Sequence, residues 1–201
     1  PDVARFAVEA DPAPTSDAVE VAAEMLKTAK SPLIMGGRVS RKQSDWDWRV
    51  SFAEALGARV ITNQRTAAAF PTHHPLHPNH LNYRTTADDE ALIRNADVIL
   101  NLDWLDFGGT LQAAGGTDAK IISVSMDDLN SNGWSFDHHV LSAVDLPILS
   151  TPDSFVAAAL EGLPSGEKQT YDVAPSAAPS GTGAIDLVFL GTAVDAVIGS
   201  R

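Results

Sequence analysis

The segment that most constrains the fold is a short apolar run that ends in two glycines and leads into a helical pattern. The apolar run is Pro32–Met35, the glycines are Gly36 and Gly37, and a second β-like run follows at 58–62. A buried strand that ends in glycine before a helix is typical of open α/β sheets, in which a crevice forms at the carboxyl ends of the strands. This segment therefore predicts a parallel sheet with helices packed against it.

Strand-like and helix-like segments continue to alternate along the chain. Apolar residues at helical spacing predict one helix at 18–29 and another at 44–56, with Gly57 ending the second. The strands predicted from short apolar runs lie at 33–35, 59–62, 97–102, 120–126 and near 140–144. Such alternation predicts a Rossmann-like α/β fold, with a doubly wound and mainly parallel sheet of about five to six strands and helices on both faces.

Several residues predict where helices begin and which side of them is buried. Asp17 is placed to cap the first helix, and Thr151 to cap a last core helix that starts at Pro152. Three acids at the start of a third helix, Asp88–Glu90, suit the positive end of the helix dipole. The apolar face predicted for the second helix consists of Trp46, Val50, Ala53 and Leu56.

Composition divides the chain into four predicted segments. Residues 1–16 contain X-Pro steps, which favour extended backbone, and are predicted to be an N-terminal linker. Residues 164–183 are rich in Pro, Ser, Gly and Ala and predict a flexible linker. The folded domain is predicted at 17–163, and 184–201 is predicted to open a following domain with a short apolar helix. Because the chain begins at Pro1 without an initiator Met, we expect it to be a piece of a longer polypeptide.

Charge and composition exclude several classes of function. A formal net charge of -12 opposes binding to nucleic acid or anionic membranes, which requires clustered Lys and Arg. The chain has no cysteine, so disulfides and thiolate chemistry are excluded. No apolar stretch is long enough to span a bilayer and no signal peptide is evident, so we expect a cytoplasmic protein. The hydrolase motifs G-x-S-x-G and H-E-x-x-H are missing and so is a P-loop, and no catalytic residue is predicted.

The glycines after the first predicted strand are candidate contacts for a nucleotide. Gly36 and Gly37 would let the backbone approach a phosphate, and Arg38 and Asp127 would lie at the same edge of the sheet. The motif is not a complete G-x-G-x-x-G, so the alternative is that two glycines only form a tight turn.

Acidic residues follow two of the predicted strands. They could hold a divalent ion or accept a ribose hydroxyl, whereas loop acids in so acidic a chain are usually only solvated. The four acids are Asp103, Asp106, Asp127 and Asp128.

All six histidines lie in two groups, His73, His74, His77 and His80, then His138 and His139. The first group invites interpretation as a zinc site. The prolines between its members hold the backbone extended, so the side chains cannot easily converge on one ion. We favour a polar surface or interface loop and predict no metal site.

The order and spacing of these segments resemble the central domain of thiamine-diphosphate-dependent enzymes, the acetolactate synthase and 2-oxoacid decarboxylase group. The resemblance covers about 18–163, and the matching segments are 29–37, 52–62, 74–76, 95–100 and 119–122. It implies a domain placed between the pyrimidine-binding and diphosphate-binding domains of a parent enzyme. In such enzymes the glutamate that activates thiamine and the Gly-Asp-Gly…Asn site for diphosphate and magnesium belong to those flanking domains.

The resemblance thus implies a non-catalytic central domain of a lyase or transferase that decarboxylates 2-oxoacids or carries out an acetolactate-synthase-like transfer. The domain would have a structural and vestigial nucleotide-binding role, and the isolated fragment would be inactive. The parent would bind thiamine diphosphate and magnesium outside this fragment and form a homo-oligomer, a dimer or a tetramer. The alternative function is a free-standing regulatory module that binds ADP, NAD or FAD.

Two departures from the family pattern bear on bound FAD or ADP. After the third strand the family usually continues Gly-x-Arg, with the arginine reaching the cofactor in nucleotide-binding members, whereas this chain has Asp103 and Leu105. After the fourth strand the family usually has Asp-x-Asp, whose first acid can hold adenosine, whereas this chain has Ser125 and Asp127. A carboxylate at position 103 would oppose a diphosphate, so we expect no firm binding of either nucleotide.

Overall fold

The computed structural model describes residues 11–78, 85–127, 142–163 and 187–198, and helices and strands alternate in it as far as the fourth strand. The strands are β1 (Pro32–Gly36), β2 (Arg59–Thr62), β3 (Val98–Leu102), β4 (Lys120–Ser125) and β5 (Leu146–Leu149). The helices are α1 (Ser16–Thr28), α2 (Gln43–Leu56), α3 (Ala87–Asn95), α4 (Phe107–Ala113), α5 (Pro152–Glu161) and α6 (Leu187–Ile198).

The strands form one sheet in the order β2-β1-β3-β4-β5, and every neighbouring pair is parallel. β1, β3 and β4 are buried along almost their whole length, as strands covered by helices on both faces should be. The predicted fold class, a Rossmann-like parallel sheet with helices on both faces, is confirmed.

Each face of the sheet has its own hydrophobic core. On one face, Phe52 of α2 and Phe155 of α5 pack edge to face with ring centroids 6.3 Å apart, and Ala22 and Leu26 of α1 join them. On the other face, α3 and α4 bury their apolar side chains against the sheet. Burial of each large side chain stabilises the fold by about 1.5–3 kcal/mol.

The two cores locate the crevice of the sheet. The connection that leaves β1 leads to α2 on the first face, and the one that leaves β3 leads to α4 on the second face. The topological switch point, where sheets of this kind bind ligands, therefore lies between the carboxyl ends of β1 and β3. In the register of these strands, Gly36 is paired with Leu102.

Several local predictions were wrong. The cap of α1 is Thr15, whose hydroxyl accepts from the N–H of Ala18, and Asp17 lies within the first turn. The fifth strand lies at Leu146–Leu149 and not near 140–144, where positions 140 and 141 are outside the described residues. Its apolar run contains Pro147, which an edge strand accommodates because one side of its backbone needs no partner.

Two further differences concern helices. α4 was not predicted, because its two glycines disfavour a helix, and it forms with Asp106 as a cap that accepts from the N–H of Gly109 at 3.1 Å. The buried residues of α2 are Asp45, Arg49, Phe52 and Ala53. The predicted Trp46, Val50 and Leu56 are only half-buried, because polar contacts draw Arg49 inward.

Residues 170–201 form a second compact unit, which contains α6, separate from the unit formed by 1–169. The predicted domain boundaries, with 184–201 opening a following domain, stay a prediction. In the described ranges, no helix combines the length and the apolar character needed to cross a membrane.

Two carboxylates at the amino-terminal edge of the sheet have lowered pKa values. Asp97 accepts from the backbone N–H groups of Lys30 and Ser31 at 2.6 and 2.9 Å. Desolvation opposes the charged form of Asp97, but backbone hydrogen bonds outweigh it and leave its pKa below the ordinary value. The hydrogen bond from Lys120 and a second from the N–H of Ile121 likewise lower the pKa of Asp145.

Asp97 should therefore contribute stability that acid removes. A carboxyl group whose pKa is lower in the folded state stabilises the fold above its unfolded pKa, and this contribution disappears as the pH falls through the folded pKa. We expect Asp97→Asn to reduce the free energy of unfolding by about 1–2 kcal/mol at pH 7, since it weakens hydrogen bonds to a charged acceptor. Urea denaturation at pH 7 and at pH ~3, below the ordinary pKa, should show a smaller difference in acid. An equal difference at both pH values would contradict this account.

Candidate functional site

The crevice between β1 and β3 is closed by the backbone of its own two loops. The N–H of Gly37 donates to the carbonyl of Leu102 at 3.0 Å, and the N–H of Arg38 donates to the carbonyl of Asp103 at 3.0 Å. A Cβ atom on Gly37 would lie 2.5 Å from the Cα of Trp104 and closer still to the carbonyl of Asp103. Glycine is thus required at position 37 because protein backbone fills the space beside it.

Side chains from three strand ends complete this closure. The Arg38 guanidinium donates to Asp103 at 2.7 Å through Nε and at 2.8 Å through Nη2, and Nη2 also pairs with Asp127. The hydroxyl of Ser125 donates to Asp103 at 2.6 Å and accepts from the N–H of Asp127 at 2.9 Å. The loops after β1, β3 and β4 are thereby joined into one polar network, which we call the crevice network (Arg38, Asp103, Ser125 and Asp127).

The positive charge of the crevice network is stably held on Arg38. The hydrogen bond with Asp103 is the largest cause that raises the pKa of Arg38 above its already high ordinary value, although partial burial opposes it. Arg38 therefore remains protonated at any physiological pH. One positive and two negative groups leave the network with one net negative charge, which disfavours an anion beside it.

The structure brings together all four residues that were predicted to contact a nucleotide. Gly36 ends β1, Gly37 and Arg38 follow it, and Asp127 reaches Arg38 from the end of β4. Asp106 instead caps α4, and Asp128 lies outside the described residues.

A diphosphate or a metal ion could bind at the crevice network only through groups that are not already engaged. A diphosphate needs unengaged N–H donors, but the N–H groups of Gly37 and Arg38 already bind carbonyls. Among the described residues, no group of three or more His, Cys, Asp or Glu side chains could hold a metal ion. The described residues of the crevice therefore fit neither thiamine diphosphate with magnesium nor a nucleotide diphosphate.

The loop that carries the first histidines packs against the edge of the sheet. The N–H of Val60 in the edge strand β2 donates to the carbonyl of Leu76 at 2.8 Å. His77 is buried, lies 2.8 Å from the hydroxyl of Thr62 through Nε2, and stacks on Phe70. The loop covers the outer edge of β2, which would otherwise expose unpaired backbone groups. His80, His138 and His139 lie outside the described residues.

A buried arginine beside the crevice was missed by the sequence analysis. Arg49 of α2 is 4% exposed, pairs with Asp153 of α5, and donates to the carbonyls of Ser40, Ala68 and Ala69 at 2.9–3.0 Å. It also borders a small apolar pocket with about 260 Å³ of empty space, part of it open to solvent. The helical spacing of Arg49 with Phe52 and Ala53 was a signal that could have revealed its burial.

The comparisons with known proteins agree with the fold. Residues 19–158 match the family profile of the thiamine pyrophosphate enzyme central domain. The sulfoacetaldehyde acetyltransferase of Alcaligenes xylosoxydans xylosoxydans is 35% identical over 117 residues, which are 56% of this chain and 19% of that protein. The enzyme of the same name from Roseovarius nubinhibens is 34% identical over 120 residues, 57% of this chain and 20% of that protein. The aligned region thus spans only about a fifth of these relatives.

Solved structures support the fold. A candidate thiamin diphosphate-dependent enzyme isolated from Mycobacterium smegmatis superposes with a TM-score of 0.57 at 19% identity, over 81% of this chain and 30% of that one. Benzoylformate decarboxylase from Polynucleobacter necessarius gives a TM-score of 0.55 at 23% identity with the same coverage of 81% and 30%.

Proposed function

Because the chain belongs to the family of thiamine pyrophosphate enzyme central domains, we propose that it is the non-catalytic central domain of a thiamine-diphosphate-dependent lyase or transferase. The observation that carries this proposal is the closure of the crevice by its own backbone and by the crevice network. A switch point filled by protein groups serves to hold strand ends together, which suits a domain that braces its neighbours.

The cofactor of the parent would be bound by other domains. The described residues fit neither thiamine diphosphate nor magnesium, so we place both in flanking pyrimidine-binding and diphosphate-binding domains. Bound thiamine diphosphate would supply a carbanion that attacks a substrate carbonyl. It would also supply an electron sink for the electron pair that is released when a bond of the substrate breaks. This chain would position those domains and contribute to a homo-oligomer, a dimer or a tetramer.

Acyl transfer is the reaction that we favour for the parent. The two curated relatives share about a third of the aligned residues with this chain, and both are named sulfoacetaldehyde acetyltransferase. The likeness to benzoylformate decarboxylase lies at lower identity and supports the fold alone. The alternative of a free-standing module for ADP, NAD or FAD receives no support from these comparisons.

The proposal predicts that the 201-residue chain neither binds thiamine diphosphate nor catalyses acyl transfer. Calorimetric titration with thiamine diphosphate and magnesium should give no heat, because no described group of side chains can hold the metal. A longer polypeptide that includes the neighbouring coding sequence should bind the cofactor and transfer an acetyl group. A cooperative thermal transition serves as the control for folding of the short chain. Binding of thiamine diphosphate by the short chain would contradict the proposal.

A further inference from the structure

Asp103 combines an unusual backbone conformation with close contacts to its neighbours. Its φ angle is +57°, in the left-handed region that glycine adopts more readily, and only 9% of the residue is exposed. Its carboxylate accepts from Arg38 at 2.7 and 2.8 Å and from Ser125 at 2.6 Å. A buried carboxylate at such a position is costly unless it is well paired, and here both oxygens are used.

These contacts engage the Arg38 guanidinium, which is the cation that an anionic ligand would need. Arg38 directly follows Gly37 at the switch point, where phosphate groups bind in sheets of this type. A guanidinium presents a fork of N–H donors that matches pairs of phosphate oxygens. In this chain Asp103 takes Nε and shares Nη2 with Asp127, so the fork is directed to carboxylates of the protein itself.

We propose that Asp103 determines the ligand selectivity of the crevice by holding Arg38, so that the crevice rejects nucleoside diphosphates and inorganic pyrophosphate. The inference rests on the proposed structural role of the crevice and names the residue that enforces it. Capture of the guanidinium is distinct from simple repulsion between like charges. Because the backbone N–H groups of Gly37 and Arg38 stay bound to carbonyls, any affinity gained when Asp103 is removed depends on the Arg38 guanidinium.

The test is calorimetric titration of ADP and of pyrophosphate into the whole chain and into Asp103→Gly. Glycine tolerates a φ of +57°, so the variant retains the backbone of the loop. We expect no heat from the unmodified chain, which places its Kd above the highest ligand concentration used. The Kd of the variant should lie at least about tenfold below that limit, the gain from one hydrogen bond to a charged group. Asp103→Asn, which also tolerates the left-handed region, replaces it if the glycine variant does not fold.

Two controls separate capture from a change in net charge. Adding Arg38→Gln to Asp103→Gly should abolish the gain, because the guanidinium is the proposed contact. Asp145→Asn also removes a negative charge from the sheet, at its other end, and should leave affinity unchanged.

Three results would overturn the inference: tight binding by the unmodified chain, no gain in folded Asp103→Gly or Asp103→Asn, or a gain that survives loss of Arg38. Failure of the proposed function would instead appear as binding of thiamine diphosphate by the unmodified chain.

Discussion

Replacing Gly37 with alanine is expected to lower the free energy of unfolding by about 3 kcal/mol or more, because the new methyl group would overlap the backbone of the loop after β3. The nearest atoms belong to the main chain of Asp103 and Trp104, which cannot rotate away as a side chain would. Moving the loops apart would break the hydrogen bonds from Gly37 to Leu102 and from Arg38 to Asp103. Urea denaturation followed by circular dichroism measures the loss.

Gly36→Ala is the matched control for this prediction. A Cβ atom on Gly36 would lie 3.3 Å from the Cγ2 of Thr62 and 3.7 Å from the Cβ of Ala69, so small side-chain shifts can admit it. We expect its effect to stay within about 1 kcal/mol, partly offset by the entropy that glycine loses on folding. Equal losses at both positions would show that the close approach at Gly37 is not what requires glycine.

The parts of the fold that the sequence predicted are those fixed by local pattern. β2 begins and ends as predicted at Arg59–Thr62, because its apolar run is bounded by Gly57 and a polar loop. Gly57 ends α2 in the left-handed conformation, and Thr151 caps α5, as their residue types indicate. α4 and β5 were missed or misplaced because glycines and a proline weaken their local signal, whereas tertiary packing decides their structure.

The candidate site was predictable in position but not in pairing. The glycines at a strand end indicated the crevice, and parallel strands bring Arg38 and Asp127 to one edge although 89 positions separate them in sequence. The partner of Asp103 could not be read from the sequence. It depends on the left-handed backbone of that residue, which directs the carboxylate to Arg38 and Ser125. The carboxylate that was expected to repel a diphosphate is instead engaged in an ion pair with Arg38.

Arg49→Met should be about as destabilising as Gly37→Ala, with an expected loss of about 3–5 kcal/mol, because it removes the donors that Arg49 supplies to a largely buried carboxylate and to several carbonyls. Arg49 connects α2 to Asp153 on α5, to Ser40 in the loop after β1, and to Ala68 and Ala69 in the loop after β2. Arg49→Lys should recover little of this stability, since an ammonium cannot reproduce the planar fork of donors. Arg59→Met is the matched control, because exposed Arg59 donates to a single described carbonyl, that of Pro75.

A double-mutant cycle with Asp153 separates the ion pair from the contacts to carbonyls. Asp153→Asn alone leaves the buried guanidinium of Arg49 without its carboxylate. In the Arg49→Met background, the same change removes a carboxylate that has already lost the guanidinium. We therefore expect a coupling free energy of about 1–3 kcal/mol between the two positions. The side chain of Asp153 also accepts from the N–H of Ser40 at 2.6 Å, so the double variant should not regain full stability. Additive losses would mean that Arg49 stabilises the fold through the carbonyls of its two loops, and that the ion pair to α5 contributes little.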